Sequence, residues 1–294
     1  MTSGDEDNGK SPTTVRRALG IELRKLRTNK SMTGEQAARA VGFSESKLTK
    51  IERAQVAVSR EDLLNMVAVY GGVSDGDRDR LLAMMRQGNR KEWWEQQDLR
   101  LPLKLGSYLG LEAVASSLRA YDTTLVHGLL QTRDYARAVI RGGLPDIMDH
   151  ELEVLVETRM RRQKILDPEE HQPPLEFWSI MDEAVLRRHI GGREVMHAQL
   201  ERLIKAAELP NVTLLVMPND LGAHAGLDGP LSILQFETGT RPVVYVEGQA
   251  GNLYMEKDDD LRRFQQRMNH ILAAAPGTEQ SLALIRQISK EMKP

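Results

Sequence analysis

The stretch Met32–Gln55, MTGEQAARAVGFSESKLTKIERAQ, constrains the chain more than any other. Two short helical patterns meet there at Gly42. The first starts near Thr33, whose hydroxyl can cap it, and runs to Val41. The second opens at Ser44, another capping residue, and continues to about Arg53. Gly42 stands where a tight turn needs a residue free of Cβ strain. Ala38 is small where two crossing helices must approach. Phe43, Leu48 and Ile51 give the second helix an inward face, in company with Ala37 and Val41. Glu45, Ser46, Lys47 and Lys50 are left outside.

The flanks extend the helical pattern. Val15, Leu19, Leu23 and Leu26 form a stripe with basic residues between them. Ser59 caps a further helix that ends at Gly71 and Gly72, with Asp62 in its first turn. Residues 15–72 therefore read as a helix-turn-helix domain. Such a pair of helices places the second in the major groove of double-stranded DNA while the first crosses the backbone. Charge agrees with that use: residues 15–70 hold eleven Lys/Arg against six Asp/Glu, and residues 71–294 hold 28 against 33. A basic module on a mildly acidic body is suited to meet a polyanion with its first part only.

Residues 1–14 are acidic and polar, the wrong chemistry for a secretory signal, and read as a disordered tail. Residues 73–92 read as a connecting helix or linker, continued by a segment carrying Trp93 and Trp94. From 93 to 294 the pattern is helical first and then mixed. PLEFWSIMD, NVTLLVMP, LSILQFE and PVVYVEG read as strands. The fold class expected is a mainly α helix-turn-helix domain followed by an α+β effector and dimerisation domain with one small sheet of about four strands. Cysteine is absent, which excludes disulfides, thiol catalysis and Cys-based metal sites. No histidine pair has metal spacing, and no nucleotide-loop, serine-hydrolase or zinc-protease motif occurs. We therefore expect no enzyme, no cofactor, no metal, no membrane span and a cytoplasmic protein, nucleoid-associated when on DNA.

Residues 16–70 closely resemble the N-terminal domain of the Xre/Cro-type regulators. The shared pattern is LR-x-LR, then (L/M)T-x-x-x-(L/A)A, then VG-x-S-x-S-x-(L/I)-(S/T)-x-(I/L)E. The resemblance implies that Ser46, Lys47 and Lys50 face base edges, with Glu45 beside them. It implies that Thr33, Gln36, Ser44 and Thr49 hold phosphates, helped by Arg53. Ala54 stands where that family usually has Gly. Glu52 reads as structural, a partner for Arg24 or Arg27. A short recognition helix reads few base pairs, so a homodimer on two half-sites is expected, joined through the body.

Residues 93–285 resemble the effector domain of WhiJ-like, antitoxin-like actinobacterial regulators. The resemblance is carried by LVHGLLQTRDYARAVIRG, RMRRQKIL, LEFWSIMDEAVLRRHIGG, MHAQLERLI, NVTLLVMPNDLGAHAGLDGPLSILQF and VVYVEG. His127 replaces that family's usual Pro. The resemblance implies regulatory control, here read as repression, and a small acidic partner protein. Arg161 and Arg162 are candidates to dock such a partner, or simply part of a solvated helix face. A small-molecule effector is the alternative for the body, with His224 and Asp228 at a glycine-rich pocket mouth and Trp178, Met181, Phe236 and Tyr245 lining a cavity. An antitoxin that sequesters a cognate partner is a third reading.

Overall fold

The computed structural model describes residues 12–90, 105–236, 241–248 and 251–293. The expected tail lies outside these as far as residue 11, and so do Trp93, Trp94 and the rest of 91–104. Contacts divide the described residues into two units, 12–90 with 106–114 in the first and the described residues from 115 onward in the second.

The first unit is a helical bundle: α1 (Pro12–Asn29), α2 (Gly34–Val41), α3 (Glu45–Glu52), α4 (Arg60–Tyr70) and α5 (Asp75–Gly88), joined by α6 (Leu105–Glu112). Its core is the inward stripe of each helix: Leu19 and Leu23, Ala37 and Ala38, Leu48 and Ile51, then Leu63, Met66 and Tyr70. The segment expected to connect the domains behaves differently. α5 contributes Leu81, Leu82 and Met85 to that core, so it is a fifth helix of the bundle. Arg16 of α1 donates through Nε and Nη2 to the Gly88 carbonyl, at 2.9 and 2.7 Å. A Cβ at Gly88 would lie 3.1 Å from the Arg16 backbone nitrogen, tighter than ordinary van der Waals contact, so α5 is seated close against α1.

The second unit contains one sheet of six strands in the order β3-β2-β1-β4-β5-β6, where four were expected. β1 (Ser117–Asp122), β2 (Glu176–Asp182) and β3 (Val212–Met217) are parallel. β4 (Leu231–Gln235), β5 (Val243–Val246) and β6 (Leu253–Met255) continue from β1 as an antiparallel meander. The crossover from β1 to β2 carries α7 (Arg133–Gly143) and α8 (Asp149–Arg162), and that from β2 to β3 carries α9 (Glu183–Arg187) and α10 (Arg193–Ala206). Two terminal helices follow, α11 (Asp258–Ala274) and α12 (Thr278–Met292).

The two strands missed by pattern have separate causes. β1 carries a charged residue at its centre, and Arg119 there lies 5.9 Å from the ring of Trp178, its register partner on β2. β6 is three residues long, too short for any period, and is held by pairing with β5 and by a Tyr245–Tyr254 ring contact at 5.3 Å. One face of the sheet packs Tyr121, Ile180, Leu215, Ile233 and Val244 under Leu261, Met268 and Ile271 of α11. α12 lies on the edge strand β3, where buried Ser281 accepts a hydrogen bond from the Val216 N–H at 3.0 Å. That bond occupies an N–H that an open sheet edge would leave unpaired.

Candidate nucleic-acid interface

The geometry of α2 and α3 follows from short-range chemistry. The Thr33 hydroxyl accepts from the Gln36 N–H at 3.2 Å, and the Gln36 side chain accepts from the Thr33 N–H at 2.9 Å, a reciprocal cap. α2 ends at Gly42 with φ +81°. There the Phe43 N–H donates to the Ala38 carbonyl and the Gly42 N–H to the Arg39 carbonyl. This double return closes the helix and turns the half-buried Phe43 onto the core. Ser44 then caps α3, accepting from the Lys47 N–H at 3.1 Å.

α3 ends by the same device. The Gln55 N–H donates to the Lys50 carbonyl at 2.8 Å and the Ala54 N–H to the Ile51 carbonyl at 2.9 Å. The residue at the left-handed position is Ala54, with φ +56°. A Cβ there costs about 1–2 kcal/mol. Ala54→Gly is therefore expected to stabilise the N-terminal unit by about 1 kcal/mol, less than the full strain because glycine also gains freedom in the unfolded chain. Chemical denaturation of the two proteins measures the difference, and a midpoint that falls would remove the strain argument.

Leu48 and Ile51 are buried, and Glu45, Ser46, Lys47 and Lys50 are exposed on the opposite side of α3. Thr33, Gln36 and Ser44 are exposed at the helix N-termini, while Thr49 and Arg53 are half-buried. Glu45 reaches back toward α2, its carboxylate 3.7 Å from where a Cβ on Gly34 would stand. Lys47 is engaged within the protein: its ammonium lies 3.0 Å from an Asp62 carboxylate oxygen and 3.9 Å from the centroid of the Phe43 ring. Pattern alone gave no sign of Asp62 in this role, because it sits fifteen residues away on another helix.

Glu52 faces α1. Arg27 donates to its two oxygens at 2.6 and 2.9 Å and also to the Met32 carbonyl at 2.8 Å. The Glu52 hydrogen bond raises the Arg27 pKa. Tyr70 borders the pair, and burial followed by the Glu52 charge pushes its hydroxyl up as well.

The residues suggested for an effector fall into two separate settings. Arg161 is exposed near the end of α8. Arg162 is half-buried, and a Cβ at Gly128 would come within 3.0 Å of its guanidinium. Arg159, on the same side of the helix as Arg162, donates to the Gln131 side chain at 2.8 Å. The basic run therefore does not form one outward patch. These arginines flank His127, which caps a short 3₁₀ turn by accepting from the Leu129 N–H and packs on Phe177 at 4.9 Å. Burial, followed by the Arg162 and Arg159 charges, pushes that imidazole down to about 3.

His224 accepts from the Gly226 N–H at 3.1 Å and meets Tyr121 edge-on at 6.1 Å. Asp228 is exposed, 3.8 Å from Arg267 of α11. Arg267 donates to the Ala225 and Gly229 carbonyls, each at 2.9 Å, and so pins the loop down. A Cβ at Gly226 would sit 2.5 Å from the Tyr121 ring, which is why the loop carries glycine there. Trp178 and Met181 do not line one cavity. Three residues apart on β2, they lie on opposite faces of the sheet, Trp178 on the side covered by α11. Asp122 ends β1, where burial and then the Glu247 charge push its carboxyl up to about 8. Among the described residues no three His, Asp or Glu side chains converge as metal ligands do, and no helix is long and apolar enough to cross a membrane.

Comparison with known families finds a helix-turn-helix domain over residues 18–81. A domain of unknown function, DUF5753, matches residues 105–287. The first match ends within α5, consistent with that helix packing in the bundle. The second begins at α6, a helix that packs with the first unit. No curated protein matches the chain.

Proposed function

The chain belongs to the DUF5753 family, and on that premise we propose that it is a sequence-specific DNA-binding transcriptional regulator whose family domain serves as the effector body. One observation carries the reading. α3 is anchored to the core through Leu48 and Ile51, and it presents Glu45, Ser46, Lys47 and Lys50 to solvent beside the exposed, capped start of α2. That is the disposition a major-groove helix needs, with a neighbouring helix N-terminus facing phosphate.

An eight-residue recognition helix touches few base pairs. The regulator therefore acts as a dimer on two half-sites. In this reading it is a repressor of the Xre/Cro type with a WhiJ-like, antitoxin-like body, works in the cytoplasm on the nucleoid, and performs no catalysis. A small acidic partner, binding the body, changes how the two reading heads are spaced. The inward packing of Arg162 takes it out of the docking surface for that partner and leaves Arg161 as the basic residue to reverse.

Binding is read most directly at Lys50, which is exposed and has no ion pair among the described residues. Lys50→Ala is expected to weaken the full chain's hold on a duplex selected from a random-sequence pool by about 5- to 150-fold, the loss of about 1–3 kcal/mol that accompanies a base contact. Titration of labelled duplex at fixed salt measures it. Equal affinity for parent and variant would take Lys50 out of the readout.

A further inference from the structure

Lys47 and Lys50 lie one turn apart on the same exposed face, yet only Lys47 is held. Its ammonium stands 3.0 and 3.1 Å from the two carboxylate oxygens of Asp62 and 3.9 Å from the centre of the Phe43 ring. Both holders are themselves fixed. Asp62 lies in the first turn of α4, where the helix dipole favours a carboxylate, and its N–H donates to the Ser59 hydroxyl at 3.0 Å. Phe43 is set by the closing bonds of α2 and packs on the core. The Asp62 side chain is 22% exposed and that of Lys47 44%, so the pair sits at the rim of the reading face, where a nucleic acid can still compete for the ammonium.

We propose that Asp62 and Phe43 are specificity-determining residues that make Lys47 a conditional DNA contact. The inference rests on the DNA-binding reading above. In the free protein the Lys47 charge is already matched by a carboxylate. Transfer to an arbitrary phosphate exchanges one anion for another and strands the Asp62 carboxylate close to the duplex. On such DNA Lys47 stays with Asp62 and releases no counterion. A guanine edge offers two acceptors, O6 and N7, at a fixed position in the groove. There the ammonium gains directed hydrogen bonds that offset the lost ion pair. Sequence-independent attraction falls as a result, while the matched contact is kept.

The test uses the full-length chain, a duplex it selects from a random-sequence pool and a scrambled duplex of the same composition. Asp62→Asn keeps the shape of the side chain and removes its charge. Affinity for the scrambled duplex is expected to rise about fivefold at low salt, the release of an exposed ion pair plus one new phosphate contact. Its salt dependence should steepen by a slope of about 0.9, one more counterion. Affinity for the selected duplex should rise by less, so that the ratio of the two falls. Phe43→Leu, which keeps an apolar side chain in the turn, should act in the same direction.

Lys47→Ala combined with Asp62→Asn decides between a tether and a bare charge effect. The steeper slope should vanish in the double variant if Asp62 works through Lys47. An unchanged ratio in Asp62→Asn, or an equal gain with Lys47 already removed, overturns the proposal and leaves DNA binding standing. Failure of the parent chain to enrich any duplex removes both.

Discussion

Glu52→Ala is expected to lower the stability of the N-terminal unit by about 3–5 kcal/mol, the range found when one partner of a buried ion pair is removed. The side chains of Arg27 and Glu52 are only 11% and 9% exposed. Deleting the carboxylate leaves a guanidinium that cannot lose its proton, with the Met32 carbonyl as its remaining acceptor at 2.8 Å. The small domain carrying the pair has a total stability on the order of 5–15 kcal/mol, so the loss is a large share of it. A thermal scan should show the transition of this unit falling by roughly 15–30 °C. The transition of the second unit should stay in place, because the pair belongs wholly to the first. Glu52→Gln, which keeps an acceptor oxygen, should fall between the two. A loss under about 1 kcal/mol for Glu52→Ala, the size of a surface pair, would mean that water reaches Arg27.

That pair also shows what a sequence discloses and what it withholds. Glu52 could be assigned to the first helix because Leu48 and Ile51 fix the inward side of α3 and Glu52 follows Ile51 at its edge. Thr33, Ser44 and Ser59 could be placed as caps because capping is settled within three residues, and each hydroxyl accepts the N–H expected of it. Ala54 lies at a left-handed position that glycine would occupy without strain, and it adopts that conformation with its Cβ in place.

What stayed hidden depends on contacts distant in sequence. The Lys47–Asp62 pair joins two helices, and no periodicity records it. α5 reads as a connector from its sequence because a helix that leads out of a domain and one that packs within it carry the same stripe. β1 was concealed by Arg119, whose charge breaks the apolar alternation while its side chain lies against Trp178. The inward turn of part of the run RMRRQK follows from helix geometry. Residues 159 and 162 are three apart on a helix and must share a side, and here that side faces Gln131 and Gly128.

Gly20→Ala sets two known effects against each other and tests which is larger. Gly20 lies in the interior of α1, where alanine is favoured over glycine by about 1 kcal/mol from backbone freedom alone. On that ground the substitution should stabilise. Yet a Cβ at this position would come 2.5 Å from the Glu52 carbonyl oxygen and 3.0 Å from that of Ile51. Both are backbone atoms in the last turn of α3, with no flexible end that can swing aside. The Ile51 carbonyl also accepts the Ala54 N–H that closes the helix. Relief therefore requires α1 and α3 to separate, which opens the core around Leu19, Leu23, Leu48 and Ile51 and strains the Arg27–Glu52 bonds. Overpacking of this kind costs about 1–3 kcal/mol and more when backbone must move, so a net loss of about 2 kcal/mol is expected despite the better helix former. Gly34→Ala is the control, because its nearest neighbour would be a side-chain oxygen at an ordinary 3.7 Å. The larger consequence should fall on DNA. α3 is the helix displaced, and its exposed face is the one proposed to read bases, so Gly20→Ala should weaken selected-duplex binding at temperatures where the domain is still folded. Folded protein with parental affinity would show that α3 can shift without moving its reading face.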